Sequence, residues 1–384
     1  IGKNYLRQMK KSVWGMLLMR FKFNFEESKI YDFLYFPRML YYMEEFQETK
    51  VNENFDEIVS EEYLSFVRKA EEKLKPFSDE IEIFYMKQYS SSYDFIELIS
   101  RKYEIIGYKT EMEYINMIRN LSEEDIKNAI VYSIMLSNEE HLHEDDKIRK
   151  VEDISSNKEK LLSFIKELPV DSGTKWTLFL MVESPKEYMN RYINLMTGLL
   201  PLFNEIYSPF ENEIREYGKH LVDFLNENGE KGLKEITYSV IDSKILSSGD
   251  INLFISVVFS YAVSLFDKEE IKYIVWGLRM EEAFRKMKEI NENKIVERVQ
   301  IFKNLGDKTR YEVLKLIAEG ETSVKNIANQ LGVSSATISY HINNFLTSKI
   351  IKFDKGKNKL NYVIDYELLE EVIKGLKDDL RFPE

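Results

Sequence analysis

Two stretches of the chain gather side chains that could do chemistry. The first holds Ser334, Ser335, Thr337, Ser339, Tyr340, His341 and Asn344. Hydroxyls, an imidazole and a carboxamide at this density suit hydrogen bonding to phosphate oxygens and base edges. Shortly after it, Lys355, Lys357 and Lys359 alternate with Gly356 and Asn358, a compact cationic tip. The second stretch is His141-Leu142-His143-Glu144-Asp145-Asp146. Two imidazoles and three carboxylates are ligand types for a divalent ion. The run sits in a charged loop with no second anchoring segment, however, so it reads as a solvated loop. No metal is assigned, and His141 and His143 are the residues that would hold one. His220 stands alone on a helix and reads as structural.

The spacing predicts how the first stretch is positioned. Residues 307–318 form an amphipathic helix with Val313, Leu314, Leu316 and Ile317 facing inward. A second helix spans 323–331, and Gly332 supplies a turn where positive φ costs little. Ser334 then caps a third helix, 335–347. Ile327, Leu331, Ile338, Ile342 and Phe345 are expected to prop the third helix on the core. Its other face, with Ser335, Thr337, Ser339, Tyr340, His341 and Asn344, is expected to stay open. Residues 349–354 and 360–365 alternate like two strands around the Lys355-Gly356-Lys357-Asn358 tip.

Charge follows the same division. The chain carries a net −12, which argues against a protein that coats nucleic acid indiscriminately. Between Arg298 and Ile364, eleven Lys and Arg face five Asp and Glu, while the rest holds 43 basic and 61 acidic residues. One basic module on an acidic body is the footprint expected when only that module meets phosphate.

The remaining sequence is a large body. At 384 residues, 44% hydrophobic and 31% charged, the chain should form more than one folded unit with an ample core. The absence of cysteine excludes disulfides, thiolate metal sites and cysteine nucleophiles, and fits a reducing cytoplasm. No signal pattern opens the sequence. The longest apolar run, 251–266, is interrupted by Asn252, Ser256, Ser260 and Ser264 and is shorter than the ~20 residues a membrane helix needs. The expectation is a cytoplasmic protein with no membrane partner.

Alternation of Phe21, Phe23 and Phe25 with polar residues predicts a strand that leads into a helix. Helical periodicity then runs to about residue 225, with Ser60, Ser122 and Ser184 as start signals and 169–174 as a breaker. The period changes afterwards. Runs at 236–246, 252–259 and 271–276 predict a small antiparallel sheet over about 236–276, followed by one long helix over 280–304. The expected fold class is mainly α (α+β): a mostly helical sensor or partner-binding domain (1–278), a linker helix (279–298) and a C-terminal module (299–384). Aromatic stripes in the body suit a plain core or a ligand cavity. No Walker loop, GxGxxG after a strand, GxSxG or HExxH occurs, so neither an enzyme nor a cofactor is expected.

The run 305–317 (LGDKTRYEVLKLI) resembles the opening helix of the ArsR-type winged-helix regulator family, and 327–342 (IANQLGVSSATISYHI) resembles its helix-turn-helix. The Lys-Gly-Lys wing follows at the family's distance. The resemblance implies a DNA-binding transcriptional regulator, read as a repressor, that binds an inverted repeat of double-stranded DNA as a homodimer. It places Ser335, Thr337, Ser339, Tyr340 and His341 at the DNA, with Tyr340 where the family often has Arg. The helix from Met280 and the last helix, 366–380, would form the dimer seam. Many members sense metals through a cysteine pair at the second helix, or through Asp and His on the last. Here 321–326 has no thiol and 365–376 no His, so metal sensing of those kinds is not expected. The body would instead answer an unknown small molecule or peptide effector. The alternative is a protein- or peptide-interaction module with the winged helix as tether.

Overall fold

The computed structural model describes residues 20–42, 58–86, 89, 93–138, 144–241, 250–267, 272–291, 294–355 and 360–382. Strand β1 (Arg20–Phe23) buries Phe21 and turns at Asn24 into helix α1 (Phe25–Tyr35). Helices α2 (Glu61–Leu74), α3 (Phe95–Ser100), α4 (Glu111–Asn120), α5 (Glu123–Asn138), α6 (Glu144–Ser155), α7 (Lys158–Glu167), α8 (Ser172–Glu183), α9 (Pro185–Tyr207) and α10 (Glu211–Ile236) follow. Their starts are chemically marked. Ser60 accepts from the Tyr63 N–H, Asp94 and Glu97 form a reciprocal capping box, and Pro185 takes a first-turn position that needs no N–H. Helix α9 runs through the core and buries Tyr192, Met196, Leu199 and Phe203.

The sheet differs from the sequence expectation. Strands β2 (Asp250–Ser256), β3 (Val263–Asp267) and β4 (Lys272–Gly277) join β1 in the order β1-β2-β4-β3. Pairing is parallel between β1 and β2 (Phe21 opposite Ile251) and between β2 and β4 (Leu253 opposite Ile274). Only β3 is antiparallel, with Leu265 opposite Ile274. The sheet is therefore mixed and recruits the first strand among the described residues. Strand alternation is the same in both pairing senses. What makes β1 and β2 parallel is the long helical connection between them, since parallel neighbours need a crossover. Strand β2 lies inside the sheet and buries Ile251, Leu253, Phe254 and Ile255, the near-continuous apolar run of a strand covered on both faces. The strand expected at 236–246 is not one as far as Ile241, because α10 extends to Ile236 and turns follow; 242–249 lie outside the described residues.

Buried polar groups stitch helices to sheet. Asp32 on α1 accepts hydrogen bonds from Ser256 Oγ and from the Val257 N–H (2.7 Å), fixing the end of β2. Burial pushes the Asp32 carboxyl up to about 7, against the lowering effect of those same hydrogen bonds. Arg38 pairs with Asp94 at 2.6 Å and Glu97 at 2.9 Å.

The long helix expected over 280–304 is two helices, α11 (Met280–Asn291) and α12 (Lys294–Gly306). Residues 292–293 between them lie outside the described residues. The two helices serve different cores. Ala283 and Phe284 belong to the large cluster that begins at Phe21, whereas Ile301 belongs to a small one that ends at Val372. The small core is closed by α13 (Lys308–Ala318), α14 (Val324–Leu331), α15 (Ser335–Thr347), the hairpin β5 (Ile351–Lys355) and β6 (Leu360–Ile364), and α16 (Tyr366–Asp379). Among the described residues no helix is long and apolar enough to cross a membrane.

Candidate nucleic-acid interface

Three local signals build the helix–turn–helix. Ser323 Oγ accepts from the Asn326 N–H and starts α14. Gly332 ends it in the left-handed region at φ 68°, where a Cβ would be penalised. Ser334 Oγ accepts from the Thr337 N–H at 3.0 Å and starts α15. Ile327, Ile338, Ile342 and Phe345 are buried and Leu331 packs against them, so the props are those expected.

The outward face is narrower than the sequence reading had it. Ser334, Ala336, Ser339 and Asn343 are exposed, and Ser335 and Thr337 are half-buried. Tyr340, His341 and Asn344 are buried, at 8%, 7% and 4% exposure, and do not lie on the open face. At 100° per residue, His341 and Asn344 lie beside the stripe of Ile338, Ile342 and Phe345, whereas Tyr340 lies nearly opposite it and has Arg310, at the start of α13, over its ring. The Arg310 guanidinium lies 5.9 Å from the Tyr340 ring centre. Burial lowers the His341 pKa, and Arg310 lowers it further, against an opposing pull from Asp307. Nearby, Arg310 Nη1 donates to Asn304 Oδ1 at 2.8 Å, and Asn304 Nδ2 donates to Ser348 Oγ at 3.1 Å. This buried chain ties α12, α13 and the end of α15 together. Beside it, Arg310 Nε, Tyr340 Oη and His341 Nδ1 are buried with no hydrogen-bond partner among the described residues.

Sequence reasoning missed Ala336 and Asn343. Their signal was the spacing 336, 339, 343, one stripe of a helix; the sequence reading took Asn344 and passed over its neighbour Asn343. The wing hairpin forms as expected, antiparallel with Ile351 opposite Ile364 and Phe353 opposite Tyr362. Lys355 ends β5, while Lys357 and Lys359 lie outside the described residues. His141 and His143 lie outside them too, and no group of three or more His, Cys, Asp and Glu among the described residues could hold a metal ion.

Three helices with a left-handed glycine turn, followed by a two-stranded wing and a closing helix, define a winged helix-turn-helix protein. Residues 305–352 match the family model described as a helix-turn-helix domain. An uncharacterized HTH-type transcriptional regulator of Methanocaldococcus jannaschii is 40% identical over 83 residues, which are 21% of this chain and 91% of that protein. The chain belongs to the HTH-type transcriptional regulators, and its likeness to them is of the ArsR type. The arsenical resistance operon repressor of Staphylococcus aureus is 28% identical over 76 residues, 20% of this chain and 73% of that repressor. The HTH-type transcriptional regulator KmtR of Mycobacterium tuberculosis is 25% identical over 75 residues, 20% of this chain and 58% of KmtR. These similarities lie in the C-terminal region and leave the helical body uncovered. No solved structure matches the chain. The protein is a DNA-binding transcription regulator.

Proposed function

We propose that the protein acts in the cytoplasm as a homodimer that places two copies of α15 in successive major grooves of an inverted repeat, under the control of an input to the helical body. The observation that carries the dimer is an apolar seam. Tyr366, Ile373 and Leu380 recur every seven residues along α16 and its cap, and are 61%, 49% and 62% exposed. Val296 and Val299, on α12, are exposed as well. The two helices lie against each other, since Arg298 Nη1 sits 2.5 Å from Asp379 and a Cβ on Gly375 would meet the Arg298 side chain. A repeat of seven on one helix face favours a second helix of the same kind, and a two-fold pairing of identical surfaces closes on itself. Recognition helices would then sit about 34 Å apart, one turn of DNA.

In this arrangement Ser334, Ser335 and Thr337 meet phosphate at the positive end of α15, and Lys355, Lys357 and Lys359 follow the backbone from the wing. Tyr340, His341 and Asn344 act from behind, holding α15 on α12 and α13. The repressors among the relatives favour repression here. A chain without cysteine has no thiolate for a metal input; the input in this reading is a small molecule or peptide, and the role is regulation. Trp176, 61% exposed and stacked on Phe179 at 5.4 Å, favours a peptide or protein.

Anisotropy titrations against the upstream DNA of its own gene, across a salt series, test the reading alongside sedimentation. The expected result is a dimer whose affinity falls steeply with salt, weakens in the Lys355→Ala/Lys357→Ala variant, and is lost with the seam in Ile373→Asp. A wild-type monomer that binds this DNA no better than random sequence would overturn it.

A further inference from the structure

Helix α15 contains no Lys or Arg. The side chains best suited to a two-point contact with guanine are thus missing from the helix that enters the groove. Of the residues it does contain, only an asparagine carboxamide can make a two-point contact with a base, and that contact is with the N6 and N7 of adenine. There are two asparagines. Asn344 is 4% exposed and points away from solvent. Asn343 is exposed, and its carboxamide makes no hydrogen bond among the described residues. Its backbone is held in place: the buried neighbours Ile342 and Phe345 fix the rotation of the helix, and Asn343 O accepts from Thr347 Oγ1 at 2.8 Å.

Asn343 does not stand alone. Ala336 and Ser339 lie on the same stripe, seven and four residues before it, and both are exposed. The Ala336 methyl offers an apolar contact of the kind made with a thymine methyl, and a serine hydroxyl serves any base.

We infer that Asn343 is the residue that sets DNA sequence preference in this protein, through a two-point contact with adenine, and that Ala336 and Ser339 complete an A·T-reading stripe. The inference rests on the DNA-binding reading above and adds to it the chemistry of the half-site. A stripe without cations also separates two tasks that an arginine would combine. Affinity comes from the wing and the phosphate contacts, and discrimination from an uncharged amide.

The test is selection of bound DNA from a randomised pool by the full-length protein, repeated with Asn343→Ala and Asn343→Arg. The wild type is expected to enrich half-sites with adenine at one fixed position. Asn343→Ala should lose about 5- to 150-fold of preference for that adenine over the other bases. Its affinity for unrelated DNA and its salt dependence should stay as in the wild type. Asn343→Arg should move the preference at that position to guanine. Equal melting temperatures for the three proteins would exclude a folding defect, as an exposed position predicts. Enrichment by the wild type that Asn343→Ala leaves intact overturns the assignment alone. So does a uniform loss across all sequences with a shallower salt dependence, because Asn343 would then contact phosphate. Absence of any enrichment by the wild type overturns the DNA-binding reading as well.

Discussion

The helical body and the winged helix solve the same burial problem with different materials. In the body, large aromatic side chains fill the interior: Phe33, Phe36 and Tyr207 surround Phe203 at 4.8–5.6 Å between ring centres. Its buried phenols mostly have partners. Tyr85 donates to the Leu34 carbonyl at 2.7 Å and Tyr63 to that of Val258 at 2.6 Å, although the Tyr207 hydroxyl has no partner among the described residues. In the winged helix the buried apolar cluster is aliphatic except for Phe345. Outside that cluster, the buried Tyr340 and His341 carry polar atoms with no hydrogen-bond partner among the described residues. The difference teaches that a small module must spend polar side chains on covering its core, because too few apolar ones are left for the task once one face is reserved for a ligand. Polar residues in such a module are therefore poor guides to its binding face.

Four measurements would break or sharpen this contrast. The largest effect belongs to the aromatic core. Phe203→Ala should destabilise the body by about 3–5 kcal/mol. Calorimetry of the full chain should show that transition shifted while a separate winged-helix transition stays in place. A single transition that shifts as a whole would show the two cores to be one cooperative unit.

The next effect is a pH dependence confined to the body. The folded state holds the Asp32 carboxyl at about 7 against an ordinary 3.8, so it keeps a proton that the unfolded chain releases. Stability must then fall as pH rises from about 4 to about 7, and level off above. Relative to Asp32→Asn, which cannot titrate, the wild type should lose about 2 kcal/mol between pH 5 and pH 7. Parallel stability curves for the two proteins would rule out the buried proton.

Removing the cap on the recognition helix comes third. Ser334→Ala leaves the Thr337 N–H without its acceptor and should cost the winged helix about 1 kcal/mol. Urea titration reads this directly, and an unchanged midpoint would mean that water replaces the cap.

The smallest effect runs opposite in sign to that of Asp32. With its pKa lowered by burial and by Arg310, His341 takes up its proton less readily in the folded module than in the unfolded chain. Stability of the winged helix should therefore decline as pH falls below about 6.5. His341→Gln should flatten that decline, and a decline that persists in full would point to another group. Acid would then weaken one region and alkali the other.

Much of this was legible without coordinates. The order of the C-terminal elements, the Gly332 turn, the Ser334 cap and the aliphatic props are local: each depends on one residue's backbone preference or on a spacing of three or four. The strand at Phe21 and the helix starts at Ser60 and Pro185 are local in the same way. Tertiary structure alone decided what depends on neighbours distant in sequence. It paired β1 with β2 in parallel across the whole body, gave α11 and α12 to different cores, and buried Tyr340, His341 and Asn344. A helix carries its periodicity in its own sequence. How wide a sector of it is covered depends on the elements that pack against it, so the sequence determined the recognition helix while packing alone left Ala336, Ser339 and Asn343 facing out.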